Sequence, residues 1–245
     1  AAVLNVEHQI TAVTSANTYT ITVPATANSS DTGNGGSATD AAYQITTGQS
    51  SVVPLTGWGA GTWGGGTWGN GLASNEAIRL WSQANFGEDL LFAVRGGSIY
   101  YWDATNGVSN RGVLLSSLGG ASNVPTIQNL LLVSDINRFV FCFGCNSLGS
   151  ATQDPMLVRW SDQESAVNWT PASTNQAGGL NLSRGTEIVA AKQARQEVLV
   201  WSDSALYSMQ YVGAPAVWGA QLVGDNISIA SQNSVAFANG VAYWM

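Results

Sequence analysis

The sequence predicts an all-β protein built from propeller-like blades, on three observations. Strand pairs with an aromatic residue near the end recur through residues 77–245, turns rich in Gly, Asn and Asp separate them, and only 9% of residues are charged. The polar remainder is dominated by Ser, Thr, Asn and Gln, with 28 Gly in 245 residues, a balance suited to short strands and tight turns. A chain of this length buries roughly 70–75% of its unfolded surface and needs no disulfide staple.

From Val6 to Val23 apolar residues alternate as Val6, Ile10 and Val13, then Tyr19, Ile21 and Val23, around Thr14-Ser15-Ala16-Asn17. This is the pattern of a β-hairpin. Ala25 to Asp40, with Gly33-Asn34-Gly35-Gly36, is too polar to bury and reads as a mobile loop, followed by a strand from Ala42 to Thr46. Residues 1–50 are therefore expected to form a small β domain. Residues 51–76 read as a connector containing the stutter Gly57 to Gly69, with Trp58, Trp63 and Trp68 at intervals of five. That interval matches neither a helical period nor the alternation of a strand, so the glycines must turn the chain and let the indoles pack.

Residues 77–245 carry the repeats. Leu90 to Val94 turns at Gly96-Gly97 into Ser98 to Asp103, ending on Trp102, and Arg138 to Phe143 leads through a longer loop into Met156 to Asp162, with Trp160. Glu197 to Ser202 turns at Asp203-Ser204 into Ala205 to Tyr211, and Ser234 to Ala238 turns at Asn239-Gly240 into Val241 to Trp244. Short apolar runs precede several of these hairpins, at residues 127–133, 188–191 and 227–230. With a more polar outer strand they make units of four strands and roughly 40–50 residues, the scale of a propeller blade. A two-sheet sandwich has strands at similar spacing, but it does not repeat one hairpin with an aromatic at the same late position. Either the propeller is small, or its remaining blades lie outside the given sequence. The absence of Met at position 1 and the stop at Tyr243-Trp244-Met245, as a strand finishes, lead us to expect part of a longer protein.

Several motifs invite chemistry and are better read as structure. Cys142-Phe143-Gly144-Cys145 has dithiol spacing but sits on a strand, without the helix start that activates a thiolate or further cysteines to complete a zinc site. It reads as a buried thiol pair. The lone His8 alternates with apolar neighbours and reads as structural. Gly57 to Gly69 lacks the lysine and the following helix of a phosphate cradle. The N-x-[ST] matches at Asn28, Asn168, Asn181 and Asn226 carry meaning only in a eukaryotic secretory pathway.

Ser161 to Trp169 resembles the Asp-box of sialidase-type propellers, in which Ser161 and Asp162 would bond the backbone and Trp169 would plug the blade. Ser165 lies near the place of the usual glycine. The device serves folding rather than catalysis, and no sialidase arginine triad can be assembled from the seven arginines, so no catalytic, cofactor or metal residues are expected. Exposed tryptophans that stack on sugars are the main functional competitor for Trp58, Trp63 and Trp68.

Eight Lys plus Arg against fifteen Asp plus Glu give a net charge of −7, so counterion release cannot drive this surface onto a phosphate backbone. An acidic wall does not stop DNA from passing nearby, because it offers no sticky sites. No run approaches the roughly 20 apolar residues of a membrane span.

Beyond the stutter, Ile78 to Leu91 (Ile-Arg-Leu-Trp-Ser-Gln-Ala-Asn-Phe-Gly-Glu-Asp-Leu-Leu) and Arg95 to Asp103 (Arg-Gly-Gly-Ser-Ile-Tyr-Tyr-Trp-Asp) carry a wider likeness. Together, and in this order, they resemble the nozzle or hub proteins of short-tailed bacteriophages, described as packaged-DNA stabilisation or structural proteins. The resemblance implies a virion tail protein, not an enzyme. It implies a homo-oligomeric ring, commonly of six copies, below a tail adaptor at the portal vertex, with a gate that retains DNA and opens for ejection. The alternative expectation is a glycan-binding propeller, a lectin or receptor-binding tail component, with a sialidase-like hydrolase behind it.

Overall fold

The computed structural model describes residues 8, 10–15, 18–26, 80–108, 110–135 and 137–245. The polar segment from residue 27 onward, the strand expected at 42–46 and the stutter with Trp58, Trp63 and Trp68 lie outside these residues. The chain divides into two units, Ala1–Thr46 and Thr47–Met245.

In the first unit, β1 (Ile10–Ser15) and β2 (Thr18–Ile21) form the expected antiparallel hairpin. Val13 pairs with Tyr19 and Ile10 with Ile21. Threonine hydroxyls fasten it, Thr11 to Thr20 at 3.1 Å and Thr14 to Thr18 at 2.7 Å. Such cross-strand hydroxyl pairs suit solvent-facing positions.

The second unit is all-β, with two one-turn 3-10 segments and no α-helix among the described residues. Three four-stranded antiparallel sheets follow one another along the chain, each a simple up-and-down meander. The first holds β3 (Trp81–Phe86), β4 (Asp89–Val94), β5 (Ile99–Trp102) and β6 (Val113–Leu114). The second holds β7 (Leu130–Val133), β8 (Val140–Phe143), β9 (Leu157–Trp160) and β10 (Gly178–Asn181). The third holds β11 (Ile188–Gln193), β12 (Glu197–Ser202), β13 (Ala205–Gly213) and β14 (Val217–Asp225). A two-stranded sheet, β15 (Val235–Ala238) and β16 (Val241–Trp244), comes last. The opening strands neighbour one another in sequence, β3 beside β7, β7 beside β11 and β11 beside β15. This is the arrangement of propeller blades around an axis, with the first strand of each blade innermost.

Side-chain alternation builds the cores between blades. Along β7 and β8, Leu130, Leu132, Phe141 and Phe143 join the core shared with the third sheet, while Leu131, Val133, Val140 and Cys142 join the core shared with the first. All eight are buried, which is why these strands read as continuous apolar runs rather than as alternating ones. Each large apolar side chain so buried contributes roughly 1.5–3 kcal/mol. A third cluster, with Ala190, Trp201, Leu206 and Ile229, joins the third sheet to Val235 and Ala242 of the last.

Two expectations are corrected. The hairpin at Asn239-Gly240 does not repeat the position of the other three, which are strands two and three of their sheets. β15 lies beside β11 and so takes the innermost place. Residues 227–230, read as an apolar strand, are irregular chain that packs Ile229 into the third core. Their apolar pattern serves the joint between blades and makes no ladder.

Candidate functional site

Two places combine buried polar groups with a defined geometry. The first is the turn that resembles an Asp-box. Ser161, fully buried, accepts from the Val140 N–H at 3.0 Å and donates to the Asp162 carbonyl at 3.0 Å. Asp162 Oδ1 accepts from the backbone N–H groups of Gln163 at 2.9 Å and Gln176 at 2.8 Å. Trp169 is 1% exposed, donates from Nε1 to the Ala166 carbonyl at 2.7 Å and fills the core between the first two sheets. Both side chains bond the backbone around the turn. The left-handed residue is Glu164, at φ 55°, and not Ser165. Glu164 is exposed, and its side chain is in no ion pair among the described residues. Glu164→Gly is expected to stabilise the protein by about 0.5–1 kcal/mol, the relief of a left-handed conformation less the added entropy of the unfolded chain. The shift of the urea midpoint at unchanged slope checks it.

The neighbouring indoles are also anchored. Trp160, 3% exposed, donates to the Gln176 carbonyl at 2.8 Å, and Gly178 lets its ring lie flat, since a Cβ there would sit 2.7 Å from the indole. Trp102, half-buried, donates to the Asn110 carbonyl at 2.9 Å.

Beneath the turn lies a guanidinium that sequence reasoning did not single out. Arg159, 5% exposed, donates to the carbonyls of Asn146 at 3.2 Å, Asn123 at 2.7 Å and Trp169 at 3.2 Å. Burial lowers its pKa. Cys142 and Cys145 lie nearby as free, buried thiols. Burial pushes Cys145 up to about 12, against the opposing pull of the Arg159 charge, and raises Cys142 well above its ordinary value. A raised thiol pKa means a protonated, unreactive group at neutral pH. A maleimide is expected to modify neither thiol in the native protein at pH 7 and both in urea, as read by mass spectrometry.

Other shifted groups likewise fasten loops. Asp103 caps the 3-10 turn at Ala104–Asn106 and is held below its usual range by bonds from Thr105. Asp203 is lowered by the Thr186 hydroxyl and N–H. Tyr101 is raised, chiefly by burial and then by its hydrogen bond to Asp89. No group of three or more His, Cys, Asp or Glu able to hold a metal ion occurs among the described residues.

The second place is the axis of the blades. β3, β7, β11 and the start of β15 surround a cavity of about 610 Å³, lined in part by Trp81, Gln83, Lys192, Gln193 and Gln232. Gln232 donates to the Trp81 carbonyl at 3.4 Å, tying the entry of the last sheet to the first. Where the innermost strands turn outward a second hollow of about 450 Å³ opens, lined by Asp135, Gln193, Arg195, Phe237, Asn239 and Gly240. Asp135 and Gln193 line both. The charged residues lining the two hollows are Asp135, Lys192 and Arg195, of which Asp135 and Arg195 line the second and Asp135 and Lys192 the first.

No family model matches the chain, and comparison with curated proteins finds no match either. No helix among the described residues is long and apolar enough to cross a membrane.

Proposed function

We propose that the chain is a virion structural protein of a short-tailed bacteriophage, a tail nozzle or hub subunit that forms part of the DNA-ejection conduit and its gate. One observation carries the reading: the segment by which the chain resembles that family, as far as it is described, folds as the first blade. β3, β4 and β5 span it, and several of its polar groups bond within the fold. Tyr101 bonds Asp89, Asp103 caps a 3-10 turn, and Arg95 pairs with Glu187 at 3.3 Å. The motif is thus a framework element, as a scaffold protein requires.

In this proposal the conduit runs between copies of the chain arranged as a ring, with blades as its rigid wall. The net charge of −7 leaves such a wall without affinity for phosphates. The partners are further copies, a tail adaptor at the portal vertex, and DNA in transit.

The test is electron microscopy of intact particles labelled with a gold-tagged antibody against this chain. Label at the tip of the tail below the portal vertex supports the proposal. Label on the capsid shell, or particles free of label, refutes it.

A further inference from the structure

We infer that the hollow where the innermost strands turn outward is a binding site for an uncharged saccharide. It goes beyond the structural role above and does not depend on it. Three turns from three successive blades converge there: Asp135 between β7 and β8, Ala194 and Arg195 between β11 and β12, and Asn239-Gly240 between β15 and β16. The volume of about 450 Å³ falls within the range of small-molecule sites, ~300–1,000 Å³.

The chemistry of the lining selects the ligand class. Phe237 offers an aromatic face on which the C–H surface of a sugar ring can pack. Asp135 contributes acceptors only, Arg195 donors only, and Asn239 one of each kind. Neighbouring hydroxyls, each able to donate and to accept, meet such a mixed set where a hydrocarbon would leave it desolvated. Asp135 and Arg195 line the hollow with opposite charges, which leaves it no excess positive charge for a phosphate.

Trp58, Trp63 and Trp68, for which sugar stacking was the competing expectation, lie outside the described residues. The geometry points instead to Phe237 and the turns around it.

The test uses saturation-transfer NMR on the full chain, with D-glucose, D-galactose, D-mannose, L-rhamnose and N-acetyl-D-glucosamine as probes. Asn239 already adopts φ 52°, so Asn239→Gly keeps the turn and removes only the amide. Asp135→Ala removes the carboxylate. Transfer to the ring protons of at least one probe, weakened tenfold or more in at least one of these variants at unchanged Tm, is the expected result. No transfer to any probe, or transfer undiminished in both variants, overturns the inference. Either outcome leaves the labelled-particle experiment to decide the tail assignment separately.

Discussion

Replacing Trp169 by alanine should lower the unfolding free energy by about 4 kcal/mol, the largest single loss expected at the turn that resembles an Asp-box. Truncating a buried Trp costs ~3–5 kcal/mol through lost transfer energy and an unfilled cavity. Nothing here can collapse into the gap. The indole belongs to the same buried cluster as Leu131, Val133, Val140 and Cys142, on the paired strands β7 and β8, the latter hydrogen-bonded on both sides within the second sheet. Its ring also lies 6.0 Å from the Arg159 guanidinium carbon, a cation–π distance worth ~0.5–2 kcal/mol when desolvated. Stabilities of single domains are typically ~5–15 kcal/mol, so the variant should approach the threshold of folding. Urea denaturation followed by far-UV circular dichroism measures it. Trp102→Ala is the control: that half-buried side chain with one backbone bond should cost no more than about 2 kcal/mol. Equal losses at the two positions would contradict the plug role assigned to Trp169.

The blade hairpins were legible because their signals are local. Gly96-Gly97, Asp203-Ser204 and Asn239-Gly240 each turn the chain where two strands meet, and Asn239 and Gly240 both take positive φ as a two-residue hairpin turn requires. What local signals cannot give is a strand's place within its sheet. The last hairpin looks like the others, yet β15 is innermost because it packs beside β11, which depends on residues some 40 positions earlier. Residues 227–230 mislead for the same reason: an apolar run is needed equally by a ladder and by a joint between blades. The hollow near the axis was invisible, since Asp135, Arg195 and Asn239 come from three sheets and form no motif in any window of sequence. The seam near Ser161 shows both sides of this. The bonding of Ser161 and Asp162 could be read from the motif, but the guanidinium beneath it belongs to β9 and acts on segments up to 36 residues away.

Arg159→Met should destabilise the protein by about 3 kcal/mol, a result that depends on which of two opposed terms is larger. Removing a buried charge returns part of its desolvation cost, and neither ion pair among the described residues involves Arg159, so no carboxylate is stranded by its loss. Methionine also keeps much of the side chain's volume. Against this, the carbonyls of Asn123, Asn146 and Trp169 all lose their guanidinium donor, at ~1–3 kcal/mol each. They belong to three separate segments: the chain entering the second sheet, the loop from β8 to β9, and the end of the turn after β9. No single rearrangement can satisfy all three, so the orphaned acceptors outweigh the returned desolvation. Arg159→Lys should fall between, because an ammonium keeps the charge without the fork that reaches separated acceptors. Combined with Trp169→Ala, the loss should be smaller than the sum by about 1 kcal/mol, since the indole and the carbonyl of Trp169 both touch the guanidinium. Full additivity in that double-mutant cycle would show that Arg159 holds the loops without supporting the plug.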